Sequence, residues 1–306
     1  MQKPSYSVVI PVYNGEKGLA GLFLGIKRAF EKMGRAFEVI FVDDGSKDNS
    51  FGQMAALAEL FPAIVTALKL DANCGQHAAT LCGMAMARGD FCITMDDDGQ
   101  YPASQIARLI EAQARTGADV VYGIGQGGRP PWQRMASFLF YALARLGGFP
   151  APYGSSLRLI DGAVAKKLSA SRRGFVFIDA RLRAITKSVA RIPVKRIPRQ
   201  HGNSGYDLAG LLRHAANIVM VHTAWPRAGI RVCGIAAGIA LSALFAFIML
   251  NYLLHGQIAV AGKILAALIV AQTGILYLNQ ALVKALERRI KKLKALPACR
   301  AVRKLP

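Results

Sequence analysis

Hydrophobic and polar positions change period along this chain, and the changes mark its elements. SVVIPV (Ser7 to Val12), EVIFV (Glu38 to Val42) and FCITM (Phe91 to Met95) are continuous apolar runs of strand length. Such runs suit strands buried on both faces of a sheet. Between them, Lys17 to Met33 repeats apolar residues at Leu19, Leu22, Phe23, Ile26 and Phe30, the spacing of one helix face. Helical spacing returns over Phe51 to Leu60, around His77 to Ala87 and over Pro102 to Thr116, with IVTALKL (Ile64 to Leu70) and ADVVYG (Ala118 to Gly123) as further strands. Strand alternating with helix predicts an α/β fold, a Rossmann-like and mostly parallel sheet covered on both faces. GSSLRLI (Gly154 to Ile160) reads as one more strand, and GIGQGGRPP (Gly123 to Pro131) as a loop.

The pattern then changes in kind. Val232 to Leu254 contains no charged residue, and Ile258 to Val283 contains only Lys263. Each run is long enough to cross a bilayer, and the short break between them predicts a transmembrane hairpin with both ends on one side. A helix pair buried in a soluble core is the alternative, disfavoured because soluble helices rarely lack a polar face over this length. Asp207 to Ala224 sets Leu208, Leu211, Leu212, Ala215, Ile218 and Val219 against Arg213, His214 and Asn217, which predicts an interfacial helix. The expected organisation is a cytosolic domain over 1–203, an interfacial region over 204–228, the hairpin over 229–284 and a basic tail over 285–306.

Charge supports that organisation. Of 39 Lys and Arg, 24 lie from Lys166 onward, together with 3 of the 18 acidic residues, so the second half carries the whole net charge of +21. Arg227, Arg231, Lys284, Arg288, Arg289, Lys291, Lys292 and Lys294 flank the hairpin, as cytoplasmic ends require. A multi-pass protein of the cytoplasmic (inner) membrane is expected, with both termini cytosolic and anionic lipids as partners. Nucleic acid is not expected as a partner, because the charge gathers around the two spans. No secretion signal is read in the first residues. Five cysteines without a C-x-x-C pair argue against a zinc site or a disulfide framework.

Candidate chemistry lies at the carboxyl ends of two strands, in VDDGS (Val42 to Ser46) and MDDDGQ (Met95 to Gln100). In an open α/β sheet these ends meet in one crevice. Crowded carboxylates call for a cation, and hard oxygen donors suit Mg²⁺ or Mn²⁺, which bind diphosphates in turn. Either cluster alone could be a solvated turn or a helix cap.

PVYN (Pro11 to Asn14), VDDGS, N-x-G-Q (Asn73 to Gln76), G-x-x-x-A-x-G-D (Gly83 to Asp90), and Asp96 and Asp98 followed by Gln100 and Pro102 together resemble a family 2 glycosyltransferase of the glycosyltransferase-A fold. R-x-x-G-x-S-x-Y (Arg199, Gly202, Ser204, Tyr206) before a membrane hairpin is similar to the polyprenyl-phosphate glycosyltransferases, which act on dolichyl or undecaprenyl phosphate. The resemblance implies that Pro11, Tyr13, Asn14, Asp43, Asp44 and Asp96 bind the nucleotide and that Asp96 and Asp98 hold the metal. It gives Asp96, Asp98 and Arg199 catalytic roles, and Arg199, Ser204 and Tyr206 the lipid phosphate. It further implies a UDP- or GDP-linked sugar donor, a polyprenyl phosphate acceptor, inversion at the anomeric carbon and a homotetramer. His77 reads as a helix-surface or packing residue rather than a base, and Arg158 as structural. The chain departs from the family pattern at Gly15, Gly99, Tyr101 and Gly125, the last standing where an arginine is common. Gln100, Arg129 and Arg134 are further candidates, the two arginines as replacements for that cation. A processive polysaccharide synthase, a catalytically silent membrane scaffold and a transporter are the competing classes. No Q-x-x-R-W motif supports the first, and the retained carboxylates count against the second.

Overall fold

A computed structural model describes residues 4–126, 155–170, 177–198, 216–217, 220–221, 225–255, 258–294 and 301–305. The chain divides into two compact units, Met1–Leu139 with Pro152–Ala209 and Leu296–Pro306, and Phe140–Ala151 with Gly210–Ala295.

The first unit is built on eight strands: β1 (Tyr6–Val12), β2 (Phe37–Asp43), β3 (Val65–Leu70), β4 (Phe91–Thr94), β5 (Val120–Gln126), β6 (Arg158–Asp161), β7 (Val189–Lys195) and β8 (Ala301–Leu305). They form one sheet in the order β7-β5-β6-β4-β1-β2-β3-β8. β1 runs parallel to β2 and β4, β2 to β3 and β5 to β7, whereas β6 and β8 are antiparallel to their neighbours. The sheet is therefore mostly parallel, as the alternating pattern predicts.

Helices α1 (Leu19–Met33), α2 (Ser50–Leu60), α3 (Gln76–Met84), α4 (Gln105–Thr116), α5 (Gly162–Ala170) and α6 (Ile178–Ile185) cover the sheet. Successive strand residues face opposite ways. Val8, Ile10 and Val12 accordingly join Phe23, Phe30, Ile106 and Leu109 in one core, while Val9 joins Leu81, Met84, Val164 and Leu182 in the other. Burial on both faces is why these strands read as unbroken apolar runs.

The spacing G-x-x-x-A-x-G-D has a packing cause. A Cβ at Gly83 would lie 2.4 Å from Val9 Cγ1 and 2.9 Å from Val42 Cγ2, so only glycine lets α3 sit this close to β1 and β2. A Cβ at Gly89 would meet the backbone of Ser7 at 2.6 Å. Beside it, Ser7 Oγ donates to Glu38 Oε1 at 2.6 Å and Arg88 Nη2 lies 2.7 Å from Glu38 Oε2. Glu38 thus braces the start of β2, away from the carboxylates at its other end. Arg158 is structural as expected: it is buried, its Nε donates to Asp179 Oδ1 at 3.0 Å, and Tyr122 Oη donates to the same oxygen at 2.9 Å.

Several expectations change. β5 runs on to Gln126, so the stretch read as a loop from Gly123 begins as strand. β7 gave no clear strand signal because it is a half-exposed edge strand with Pro193 inside it, a residue that edges tolerate. Residues 285–306 are not one basic tail, since helix continues to Lys294 and Ala301–Leu305 is strand β8 on the β3 edge. Cys74 is disulfide-bonded, contrary to the reading of the cysteines, whereas Cys82 and Cys92 are free and buried as that reading has them. Most of the expected interfacial helix lies outside the described residues.

The second unit contains α7 (Trp225–His255) and α8 (Ile258–Lys294). Ala228–Leu254 and Ala266–Lys294 have mean hydropathies of 2.4 and 1.5 and are long enough to cross a membrane. Their apolar side chains, among them Ile239, Phe247, Leu253 and Val270, are exposed over the length of the pair. Surfaces this apolar need an apolar solvent, and the protein is membrane-associated. Between the two helices Gln272 Nε2 donates to Ser242 Oγ at 2.9 Å, and Arg231 lies 3.6 Å from Glu287.

Candidate active site

Three turns at the carboxyl ends of neighbouring strands build the site. β1 stands between β4 and β2, at the point where the strand order changes direction, so the turn after β1 is flanked by those after β2 and β4. Pro11 fits in a central strand because the β1–β4 ladder ends at Val9 and Thr94. Val9 O accepts from Met95 N on the β4 side and Val12 O from Asp44 N on the β2 side. Pro11 therefore directs its missing N–H to the β4 side just beyond Thr94, where the β1–β4 ladder stops.

The first two turns are clasped together. Asn14 N donates to Ser46 Oγ at 3.0 Å and Asn14 Oδ1 accepts from Lys47 N at 2.8 Å. Gly15 N donates to Ser50 Oγ at 2.9 Å, Glu16 N to Asp48 Oδ2 at 3.2 Å, and Asn49 N to Glu16 Oε2 at 2.9 Å. Asn14 adopts a positive φ of 54°, which asparagine tolerates better than most residues. Its side chain holds the neighbouring turn in place, and Tyr13, 41 % exposed, presents its ring at the surface.

Asp44 organises a further loop. Its two oxygens accept from Cys74 N at 2.7 Å and Gly75 N at 2.9 Å, which gives the N-x-G-Q segment its place beside VDDGS. Burial pushes the Asp44 carboxyl up to about 6, against the pull of those two N–H groups, and the nearby Asp43 charge adds to the rise. Gly45 completes the turn at a φ of +71°, with Asn73 N only 2.9 Å from where a Cβ would stand. Asp43 is fully buried: Oδ1 accepts from Ser46 N at 3.0 Å, and among the described residues Oδ2 has no hydrogen-bond partner. An unmet buried carboxylate oxygen costs on the order of 1–3 kcal/mol or more, which a ligand N–H or O–H would recover.

The three aspartates after β4 occupy different environments. Asp96 Oδ1 accepts from Gln76 Nε2, and Oδ2 accepts from Ser156 Oγ at 2.6 Å. Asp98 Oδ1 accepts from Gln100 N at 3.0 Å. Asp97 Oδ2 accepts from Tyr13 N at 3.3 Å and occupies the space beside Gly15, where a Cβ would be 2.5 Å away. Burial pushes the Asp97 carboxyl up to about 7, and the charges of Asp96 and Asp98 add to the rise. Sequence reasoning passed over Asp97 as the spacer in D-x-D and over Ser156, which carries no signal in its local sequence, and it named Gln76 only as part of N-x-G-Q, without its bond to Asp96.

This donor set fits a divalent cation. The oxygens are hard, Asp96, Asp97 and Asp98 follow one another just past the end of β4, and Mg²⁺ or Mn²⁺ needs only one or two carboxylates when phosphates complete its shell. His77 packs against Phe177 edge-on at 5.1 Å, the packing role expected of it. Arg199, Ser204 and Tyr206, and the loop arginines Arg129 and Arg134, lie outside the described residues.

The model of Glycosyl transferase family 2 matches residues 7–153, which carry all three turns. Undecaprenyl-phosphate 4-deoxy-4-formamido-L-arabinose transferase of Pseudomonas paraeruginosa is 37% identical over 261 residues, covering 84% of this chain and 76% of its own. The protein of the same name from Edwardsiella ictaluri is 34% identical over 252 residues, covering 81% and 76%. Among solved structures, glucosyl-3-phosphoglycerate synthase of Mycobacterium tuberculosis, crystallised with Mn²⁺, UDP and glucosyl-3-phosphoglycerate, superposes with a TM-score of 0.51 at 19% identity. That match covers 71% of this chain and 78% of the other, and shows a shared fold.

Proposed function

Since this chain belongs to glycosyl transferase family 2 and is a glycosyltransferase, we propose that it transfers a sugar from a nucleotide-diphosphate sugar to undecaprenyl phosphate or a similar polyprenyl phosphate. The observation that carries this reading is the convergence of Asp43–Asp44 and Asp96–Asp98 on either side of the β1 turn, in a chain with two apolar helices that can reach a lipid acceptor. The names of the curated relatives support the acceptor class.

The acceptor is its own nucleophile. A phosphomonoester has a second pKa near 6, so at neutral pH its oxygen attacks the anomeric carbon without a dedicated base. The carbon–oxygen bond to the diphosphate breaks as the new bond forms, and in-line displacement inverts the anomeric centre. The nucleoside diphosphate leaves with the bonding electron pair.

The protein's tasks are to hold two anions together and to receive charge on the leaving diphosphate. Asp44 and the turn after β1 shape the nucleotide pocket, and the unpartnered Asp43 oxygen accepts from the nucleotide. Asp96 and Asp98 would hold Mg²⁺ or Mn²⁺, with Gln76 and Ser156 orienting Asp96. When bound, such an ion neutralises charge that develops on the diphosphate. Arg199, Ser204 and Tyr206 receive the lipid phosphate in this reading, and the basic ends of the hairpin sit against anionic lipids on the cytoplasmic side.

The test is transfer of label from a panel of UDP- and GDP-sugars into organic-extractable lipid with undecaprenyl phosphate and Mn²⁺ or Mg²⁺. The panel begins with the sugar for which the relatives are named. We expect metal-dependent labelling that Asp98→Asn lowers by roughly 10²-fold or more, the scale of losing one charge-stabilising group. Labelling that survives Asp98→Asn and chelation would overturn the assignment of the metal site.

A further inference from the structure

Two arginines of the sheet domain have carboxylates to neutralise them: Arg158 lies 3.0 Å from Asp179, and Arg88 2.7 Å from Glu38. Arg196, just past the end of β7, does not. Its Nε donates to Gln100 Oε1 at 3.0 Å, and its Nη2 donates to the same neutral oxygen. Among the described residues no carboxylate forms an ion pair with it. A guanidinium has five N–H donors, so two bonds to one amide oxygen leave donors and the whole positive charge available. The side chain is partly exposed.

Its position is set by the backbone. β7 pairs with β5 through Gly125↔Val194 and Gln126↔Lys195, and Arg196 N then donates to Gln126 O at 3.4 Å. A Cβ at Gly125 would lie 3.1 Å from both Cβ and Cδ of Arg196, so the arginine stem crosses the face that the glycine leaves bare. The far end is tied to the carboxylate turn. Gln100 receives Arg196 at its side chain, receives Ile197 N at its carbonyl at 2.9 Å, and donates its own N–H to Asp98 Oδ1 at 3.0 Å. One amide therefore separates an unneutralised guanidinium from the carboxylates assigned to the metal.

We propose that Arg196 binds the diphosphate of the nucleotide donor, with Gln100 as the residue that positions its guanidinium and Gly125 as the gap that lets it cross. The proposal rests on the nucleotide-sugar reading above. Planar guanidinium donors match phosphate oxygens in pairs, and a cation here offsets charge that a divalent ion alone leaves on a diphosphate. The sequence pattern left this task to Arg129 or Arg134. Arg196 escaped notice because its nearness to Gly125 and Gln100 comes from strand pairing.

The test is calorimetric titration of the full chain in detergent micelles with UDP, UMP, GDP and GMP in the presence of Mn²⁺, for the wild type and for Arg196→Met, which keeps the aliphatic stem. We expect the substitution to weaken the preferred diphosphate by roughly 10- to 100-fold, the scale of a charged hydrogen bond. The matching monophosphate should change by less than about twofold, which also reports that the pocket is folded. Equal weakening of both nucleotides would reduce Arg196 to a packing role and overturn the proposal. So would unchanged diphosphate affinity with a raised KM for undecaprenyl phosphate, which would move the residue to the acceptor. Failure of the wild type to bind any of the four nucleotides would instead defeat the nucleotide-sugar reading, and this proposal with it.

Discussion

At the scale of single residues, the carboxylates that look alike in sequence differ in what surrounds them. Asp43 and Asp44 are adjacent, yet Asp44 spends both oxygens on the backbone of residues 74 and 75 while Asp43 keeps one buried oxygen unpartnered. The Asp44 carboxyl, pushed up to about 6, gives a pH signature. As pH falls through 6 the group takes a proton, loses acceptor strength toward Cys74 and Gly75, and loosens the loop beside the nucleotide. Donor KM should rise severalfold between pH 7 and pH 5, and Asp44→Asn should have a high donor KM that barely moves over that range. The linkage to stability has the opposite sign. A carboxyl raised from 3.8 costs folding free energy when ionised, in full above about 6 and not at all below 3.8, so acid relieves this cost. A thermal midpoint that fell in parallel with donor affinity between pH 7 and pH 5 would point to unfolding elsewhere and defeat the local explanation.

At the scale of elements, the motifs mix chemistry with packing. VDDGS and MDDDGQ place carboxylates, but G-x-x-x-A-x-G-D is a close approach of α3 to the sheet. Gly83→Ala tests the distinction. Alanine is the better helix former by up to about 1 kcal/mol, whereas overpacking against stiff, buried valines costs about 1–3 kcal/mol. Overpacking should win, lowering the thermal midpoint in detergent while leaving KM for donor and acceptor near wild type in the folded fraction. A stabilised variant would show that the valines yield easily. The strong elements were legible for the same reason that they are stable: β1, β2 and β4 are buried on both faces, and α1 carries a regular apolar stripe. β7 and β8 were not legible, since an edge strand needs neither a continuous apolar run nor strict alternation.

At the scale of the whole molecule, the C-terminal strand changes what the hairpin means. Ala301–Leu305 pairs antiparallel with β3, so the chain leaves the sheet before α7 and returns to the same sheet after α8. We expect both helices to span with their outer ends on one side, in keeping with the basic residues that flank them. In bacterial cells, fluorescent-protein fusions at either terminus should report the cytoplasm, and an alkaline phosphatase sandwich fusion at residues 256–257 should be active in the periplasm. An inactive phosphatase there, in a protein that retains transferase activity, would show that the helices lie along the membrane surface. The long α8 accommodates either a tilt or an extension past the bilayer, since its 37 residues reach about 56 Å at the rise of an α-helix.

Sequence by itself determined what depends on neighbours along the chain: alternating buried strands and helices, acidic turns at strand ends, and two runs too apolar for water. These follow from burial and local backbone chemistry, which a short window contains. Tertiary structure alone decided which carboxylate oxygens are already engaged, that Glu38 braces the far end of β2, that Ser156 reaches Asp96, and that Arg196 fills the face of Gly125. Each of those depends on strands far apart in sequence becoming neighbours in the sheet, where pairing and close contact, rather than local pattern, set a side chain's partners.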